Sequence, residues 1–131
     1  GSPRNKEASE IIDKCRAKLE QKEYRAAVLY YDMAQYRASA IAFSNLINNY
    51  PESAKGEEYK LKTVKSYYRF AKLSIPDKQI ERYEKVIDEY EDFVDRYPES
   101  KLLKDAETYS NLSKNHIKDI KNEQTQTSAK R

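Results

Sequence analysis

Glycine is almost missing from this chain. Among 131 residues it stands only at positions 1 and 56, where average usage would give about 7%. Gly1 opens a Gly-Ser-Pro start that reads as a cloning remnant, which leaves Gly56 as the one glycine with a structural task. Glycine-rich phosphate loops, dinucleotide fingerprints and hairpin-rich β folds all draw on backbone at positive φ, so the chain is not built for them. With four prolines and 36% charged residues, the expectation is a soluble, all-α chain of one domain with a modest core.

Apolar periodicity divides the chain into about six helices. The first runs from about Lys6 to Glu20, with Ala8, Ile12, Cys15 and Leu19 on one face. The second covers roughly Lys22 to Ala34 through Tyr24, Ala27, Tyr31 and Ala34. The third runs from about Tyr36 to Asn49, with Tyr36, Ala40, Phe43, Ile47 and Tyr50 aligned. Pro51 stops it, since proline disfavours helical geometry in the residue before it. Ser53 is placed to cap a fourth helix that continues to about Leu73, and Ser74-Ile75-Pro76-Asp77 makes a turn. The fifth, near Asp77 to Arg96, has an apolar stripe widened by Val86 and Phe93, as a helix packed on two sides requires. Pro98 ends it, Ser100 is placed to cap the sixth, and Leu103, Ala106, Ser110, Ser113, Ile117 and Ile120 mark the last face. The domain is thus expected over residues 6–121. Residues 1–5 and the polar 122–131 tail, which lacks apolar period, are expected to be disordered.

The charge balance of 25 basic against 22 acidic residues, net +3, is too mixed for a nucleic-acid partner, whose domain would cluster bases without compensating acids. No apolar run approaches the ~18 residues of a membrane span. Catalytic equipment is sparse. His116 is the only histidine and reads as structural. Cys15, the only cysteine, lies on the apolar stripe of the first helix and reads as a small buried hydrophobe; it leaves the redox compartment undecided. No His/Cys/carboxylate spacing points to a metal, and no cofactor is implied. A hydrolase or enzyme-regulatory domain is the remote alternative.

Two segments match at a separation of 47 residues: Tyr50-Pro51-Glu52-Ser53 and Tyr97-Pro98-Glu99-Ser100. Upstream the register holds, with Tyr36 against Tyr83, Phe43 against Tyr90 and Ile47 against Val94. Repeating helix pairs separated by a Pro turn indicate an α-solenoid. Tyr36, Ser39, Phe43 and Pro51 carry the spacing of aromatic, small, aromatic and proline in the second helix of a tetratricopeptide repeat. Ala27 and Tyr30 stand where its first helix offers a small residue and a tyrosine. Glu23 replaces the pattern's tryptophan, and the period exceeds the usual ~34. The fold expected is a divergent tetratricopeptide-like α-solenoid of antiparallel helices.

Charge is also patterned. Lys62, Lys65, Arg69 and Lys72 form a basic line on the fourth predicted helix, and Glu81, Glu84, Asp88, Glu91 and Asp95 an acidic line on the fifth. Either these dock charged partners, or neighbouring helices set them opposite each other, or both are solvated faces. Exposed ion pairs contribute only about 0–1 kcal/mol each, so such lines need no task. More telling is a gap: between Ala26 and Pro51 the only charges are Asp32 and Arg37. The outward positions of the third helix read Ala38, Ala42, Asn45 and Asn49. Interfaces are depleted of charge at their centre, so this face, with Arg37 at its edge, is a candidate docking surface. The alternative is that flanking helices cover it.

The run Lys22-Glu-Tyr-Arg-Ala-Ala-Val-Leu-Tyr30-Tyr31, followed by Tyr36-Arg-Ala, Ala40-Ile41, Phe43, Leu46-Ile47 and Tyr50-Pro51-Glu-Ser, resembles the BamD family of bacterial outer-membrane assembly lipoproteins, built of five tetratricopeptide-like repeats. The resemblance spans about Ala8 to Ile120 and places the chain in the C-terminal half. It implies a non-catalytic subunit of the complex that folds β-barrel proteins. The whole protein would be lipid-anchored by an N-terminal cysteine and face the periplasm. The N-terminal repeats that recognise unfolded substrates would be absent here, leaving the repeats that dock on the periplasmic domains of the barrel-forming subunit. Cys15 lies inside an amphipathic helix and does not suit lipidation. The chain itself is expected to be monomeric. A generic tetratricopeptide adaptor, periplasmic or cytosolic, holding a peptide in its concave groove is the alternative.

Overall fold

The computed structural model describes residues 3–129; Gly1, Ser2, Lys130 and Arg131 lie outside the described residues. Five α-helices follow one another: α1 Pro3–Asp32, α2 Tyr36–Asn49, α3 Gly56–Lys72, α4 Pro76–Arg96 and α5 Leu103–Ala129. No strand occurs among the described residues, and none of these helices is long and apolar enough to cross a membrane. The expected all-α, tetratricopeptide-like solenoid is what forms.

Five helices replace the six expected because α1 is continuous through Gln21. The two apolar stripes read as separate helices are two faces of one, turned by about a third of a revolution at 100° per residue. Nothing at Glu20-Gln21-Lys22 breaks a helix. Tyr24, Ala27 and Tyr31 face the body of the protein, whereas Ala8, Ile12, Cys15 and Leu19 are all exposed. Cys15 is therefore not the buried hydrophobe that periodicity indicated. At the other end α5 continues through the polar segment to Ala129. Residues 122–129 hold no Gly or Pro, so propagation from the packed turns is inexpensive even through Asn, Thr and Ser. The expected boundary at residue 121 is not a helix end. Likewise α1 opens at Pro3, where proline's missing N–H costs nothing.

The internal repeat is a repeat of backbone geometry. Tyr50 and Tyr97 end their helices at φ −129°, ψ 62° and φ −133°, ψ 62°. Each donates its N–H four residues back, to Leu46 and Phe93, and the Ser53 and Ser100 amides return to the Tyr50 and Tyr97 carbonyls at 3.0 and 3.1 Å. The two serines do not cap α3 and α5 directly. Their hydroxyls accept the N–H groups of Lys55 and Leu102, two residues on (3.2 and 3.1 Å), which holds the turn before each helix.

Burial divides into two clusters that share α3. Ala27, Phe43, Leu46, Ile47, Tyr50 and Tyr59 form one. Val64, Tyr68, Ala71, Tyr83, Val86, Phe93 and Ala106 form the other. Small side chains line the closest approaches: Ser39, Ser66, Ala27 and Ala71 are fully buried. The Ser39 hydroxyl is 3.0 Å from the Ala27 carbonyl oxygen and 3.3 Å from the Ser66 hydroxyl. Gly56 begins α3 with a β-carbon-sized space already taken by the Tyr97 hydroxyl. Its task is to admit a neighbour, not to adopt positive φ, which it does not have.

Candidate functional site

The charge-poor face of α2 is at the surface. Its inner side, made by Ser39, Ala40, Phe43, Leu46 and Ile47, is buried. Asn45 and Asn49 are exposed as expected, and Ile41, between them and Arg37, is 42% exposed. Ala38 and Ala42 are half-buried, and Ala42 packs against the Phe43 cluster. None of the described helices covers this face. Ile41 escaped the sequence reading because it adjoins buried Ala40; the signal lay in the step Arg37, Ile41, Asn45.

Arg37 also meets a second surface feature. It borders a groove of about 450 Å³ floored by Tyr67 and Phe70, whose far wall carries Glu81, Glu84 and Asp88. The groove also holds cations: the Arg82 guanidinium lies 4.3 Å from the Phe70 ring centroid and the Lys85 ammonium 5.4 Å from that of Tyr67. Burial pushes the Tyr67 hydroxyl's pKa up, against the opposing pull of Lys85. Arg37 thus borders part of the acidic line while standing one turn from Ile41 on α2.

The two charge lines do not meet. The acidic residues Glu81, Glu84, Asp88, Glu91 and Asp95 are all exposed along the outer side of α4. The α3–α4 ion pairs run instead through Lys60, which is buried and bonds Glu89 at 2.5 Å and Asp92 at 2.6 Å. Burial works against ionisation of Asp92, but the Lys60 hydrogen bond and charge, then Arg96, outweigh it and hold its carboxyl below the usual range. The basic line faces the other way, into clefts on either side of α3. Lys62 and Lys65 border one cleft with Tyr31 and Asp32 and another, of about 630 Å³, with Asp105, Tyr109 and Leu112. Lys65 lies 5.2 Å from the Tyr31 ring centroid; Arg69 lies 5.4 Å from that of Tyr36 and donates to its hydroxyl at 3.3 Å. Lys62 and Lys72 make no ion pair among the described residues. Tyrosine, rather than acid, is what these cations find inside the molecule.

Helix α1 clamps the first Tyr-Pro-Glu-Ser turn. Arg16 donates to Glu52 (2.9 Å) and to the Asn49 carbonyl (2.9 Å) and lies 5.0 Å over the Tyr50 ring. Glu20 accepts from Ser53 at 2.6 Å and Tyr59 at 2.5 Å. His116 is half-buried, 3.2 Å from the Tyr68 hydroxyl and stacked on Tyr83 at 4.8 Å. That is a packing role. No cluster of three or more His, Cys, Asp or Glu suited to a metal occurs among the described residues.

Residues 23–53 match the family model of the tetratricopeptide repeat. The match takes in the packed end of α1, α2 and the Pro51 turn. No curated protein sequence matches the chain. The fold and this match together mark a tetratricopeptide-like helical-repeat protein, and repeats of this type generally mediate protein–protein contacts.

Proposed function

We propose that the chain is a docking module of the BamD kind, binding a protein partner on the outer face of α2. The observation that carries this reading is the surface around Ile41, Asn45 and Asn49: exposed, uncharged, and set in a chain where other helices carry charge outward. An interface centre depleted of charge, with an aliphatic anchor, has this composition. In this reading the partner is the periplasmic part of a barrel-forming subunit, and the protein works at the periplasmic face of the outer membrane. Pull-down of those domains by the wild-type chain tests it. Ile41→Glu and Asn45→Glu should each weaken capture about tenfold without loss of helicity. Ala42 is a poor probe, since a charge there would enter the core. Capture that survives both substitutions sinks the α2 assignment, and no capture by wild type sinks the barrel-assembly reading.

One observation favours a second reading, an adaptor for an acidic peptide. Lys62 and Lys65 line clefts on both sides of α3 beside Val28 and Phe43 and beside Leu102 and Leu112, and although Asp32, Glu58 and Asp105 border the same clefts, Lys62 forms no ion pair with them. Charge reversal at both lysines should then abolish peptide binding while leaving capture through α2 unchanged.

A further inference from the structure

The back of α1 carries a helix-pairing seam. Ala8, Ile12, Cys15, Leu19, Lys22, Ala26, Leu29 and Met33 follow one another at steps of 4, 3, 4, 3, 4, 3 and 4. Met33 still belongs to this series, for its N–H bonds the Leu29 carbonyl at 2.9 Å. Every one of these residues is exposed, with Ile12, Leu19, Leu29 and Met33 between 53% and 60% accessible. Tyr24, Ala27 and Tyr31, which face the body, lie on the other side of the helix. A hydrophobic repeat of 3.5 residues is the pattern that keeps one helix alongside another at a shallow angle. From Pro3 to Leu19 all side chains are exposed, and apart from the Arg16 contacts with Asn49, Tyr50 and Glu52 about 25 Å of helix has little of the lateral packing that usually supplies helical stability.

We infer that this seam pairs in parallel with the same seam of a second copy of the chain. The flanking charges select that occupant and direction. In a parallel pair the residue before each first core position faces the residue five further along the other helix. Lys18 then meets Glu23 of the second copy, and Arg25 meets the Tyr30 ring of the second copy, each contact made twice by symmetry. Neither Lys18 nor Arg25 makes an ion pair among the described residues. Glu23 is exposed and also interacts with the Tyr50 hydroxyl. An antiparallel pair would instead set Lys18 against Arg25, like against like, and would offer Glu23 only Arg16, whose guanidinium is already held by Glu52 and the Asn49 carbonyl. Lys22 is the one charged core position and meets Lys22 of the second copy in the parallel pair, where the long stems let both ammonium groups reach water; a polar core position of this kind fixes register at a cost in stability. The body of each copy lies on the far side of its α1, out of the way. The seam, about 38 Å long from Ala8 to Met33, brings eight core residues a side into the pair, fewer than the roughly 20–30 of a standard interface. A dimer in the micromolar range follows.

The parallel register brings Cys15 opposite Cys15, where a disulfide can span the axis. An antiparallel register separates them by about 16 Å along it. Sedimentation equilibrium of the full chain from about 1 to 200 μM, together with mild oxidation and non-reducing electrophoresis, tests the inference. Expected are a concentration-dependent dimer, rapid Cys15–Cys15 linkage, and a non-covalent dimer in Cys15→Ser. Ile12→Glu combined with Leu19→Glu should abolish both dimer and linkage while leaving the thermal midpoint of the body unchanged. A monomer throughout overturns the inference, as does a dimer that survives the double variant, or one that never links through Cys15. The readout is mass and Ile12 and Leu19 are remote from α2, so this outcome is independent of partner capture.

Discussion

Ala34 is the one non-glycine residue at positive φ among those described, at 61°. It closes α1: Gln35 donates to the Tyr30 carbonyl at 2.8 Å, the six-to-one bond of a helix end that normally uses glycine. An L residue in the left-handed region costs about 1 kcal/mol, so Ala34→Gly should raise stability by about that amount, read as a higher urea midpoint at unchanged slope. Gly56 is the converse case. Adding a methyl group would normally gain helix propensity of about 1 kcal/mol, but the Tyr97 hydroxyl occupies the space. Gly56→Ala should therefore destabilise by about 1–2 kcal/mol, and Tyr97→Phe should recover most of that loss. A double-mutant cycle checks it; additivity of the two changes would refute the close-approach account.

At the scale of elements, α2 and α4 were legible in the sequence because proline bounds each of them, by Pro51 after α2 and by Pro76 and Pro98 around α4. The end of α1 was less so, since Glu20-Gln21-Lys22 carries a change of face and no stop. Periodicity reports which residues share a face but not which face is covered, and that is why Cys15 and Leu19 read as core. The docking face on α2 was half legible: absence of charge marked Asn45 and Asn49, whereas Ala42 and Arg37 needed neighbouring helices to place them. The charge lines were visible, but the ion pair that joins α3 to α4 was not. Lys60, Glu89 and Asp92 lie outside both lines, and only burial singles them out. Lys60→Met should cost about 3 kcal/mol, because Glu89 and Asp92 are left without their shared cation. Asp92, whose folded pKa is lowered, contributes stability above its ordinary value of 3.8 that is lost as pH falls through the folded value. Acid unfolding curves of wild type and Lys60→Met should accordingly converge at low pH. A constant separation would show that packing, not charge, is what Lys60 supplies.

Across the whole molecule, the two apolar clusters meet on α3, and each contains a deeply placed tyrosine: Tyr59 in the first and Tyr83, packed between Tyr68 and His116, in the second. Burial pushes the Tyr83 hydroxyl up to about 12 from an ordinary 10. Burial, reinforced by the Glu20 carboxylate, pushes Tyr59 up as well. Between the unfolded and folded values the folded chain holds these protons more tightly than the unfolded one. Their contribution is thus complete below pH 10, and that of Tyr83 is lost as pH rises through about 12. Because both clusters depend on α3, base should unfold them together. Loss of helical circular dichroism should coincide with the last rise in tyrosinate absorbance, after the exposed tyrosines have ionised. Tyr83→Phe removes the ionising group and keeps the ring, so it should shift the alkaline midpoint upward while changing stability little at neutral pH. Two separate alkaline transitions would mean that the helix pairs unfold independently, as loosely coupled repeats do, and that α3 does not bind them into one cooperative unit.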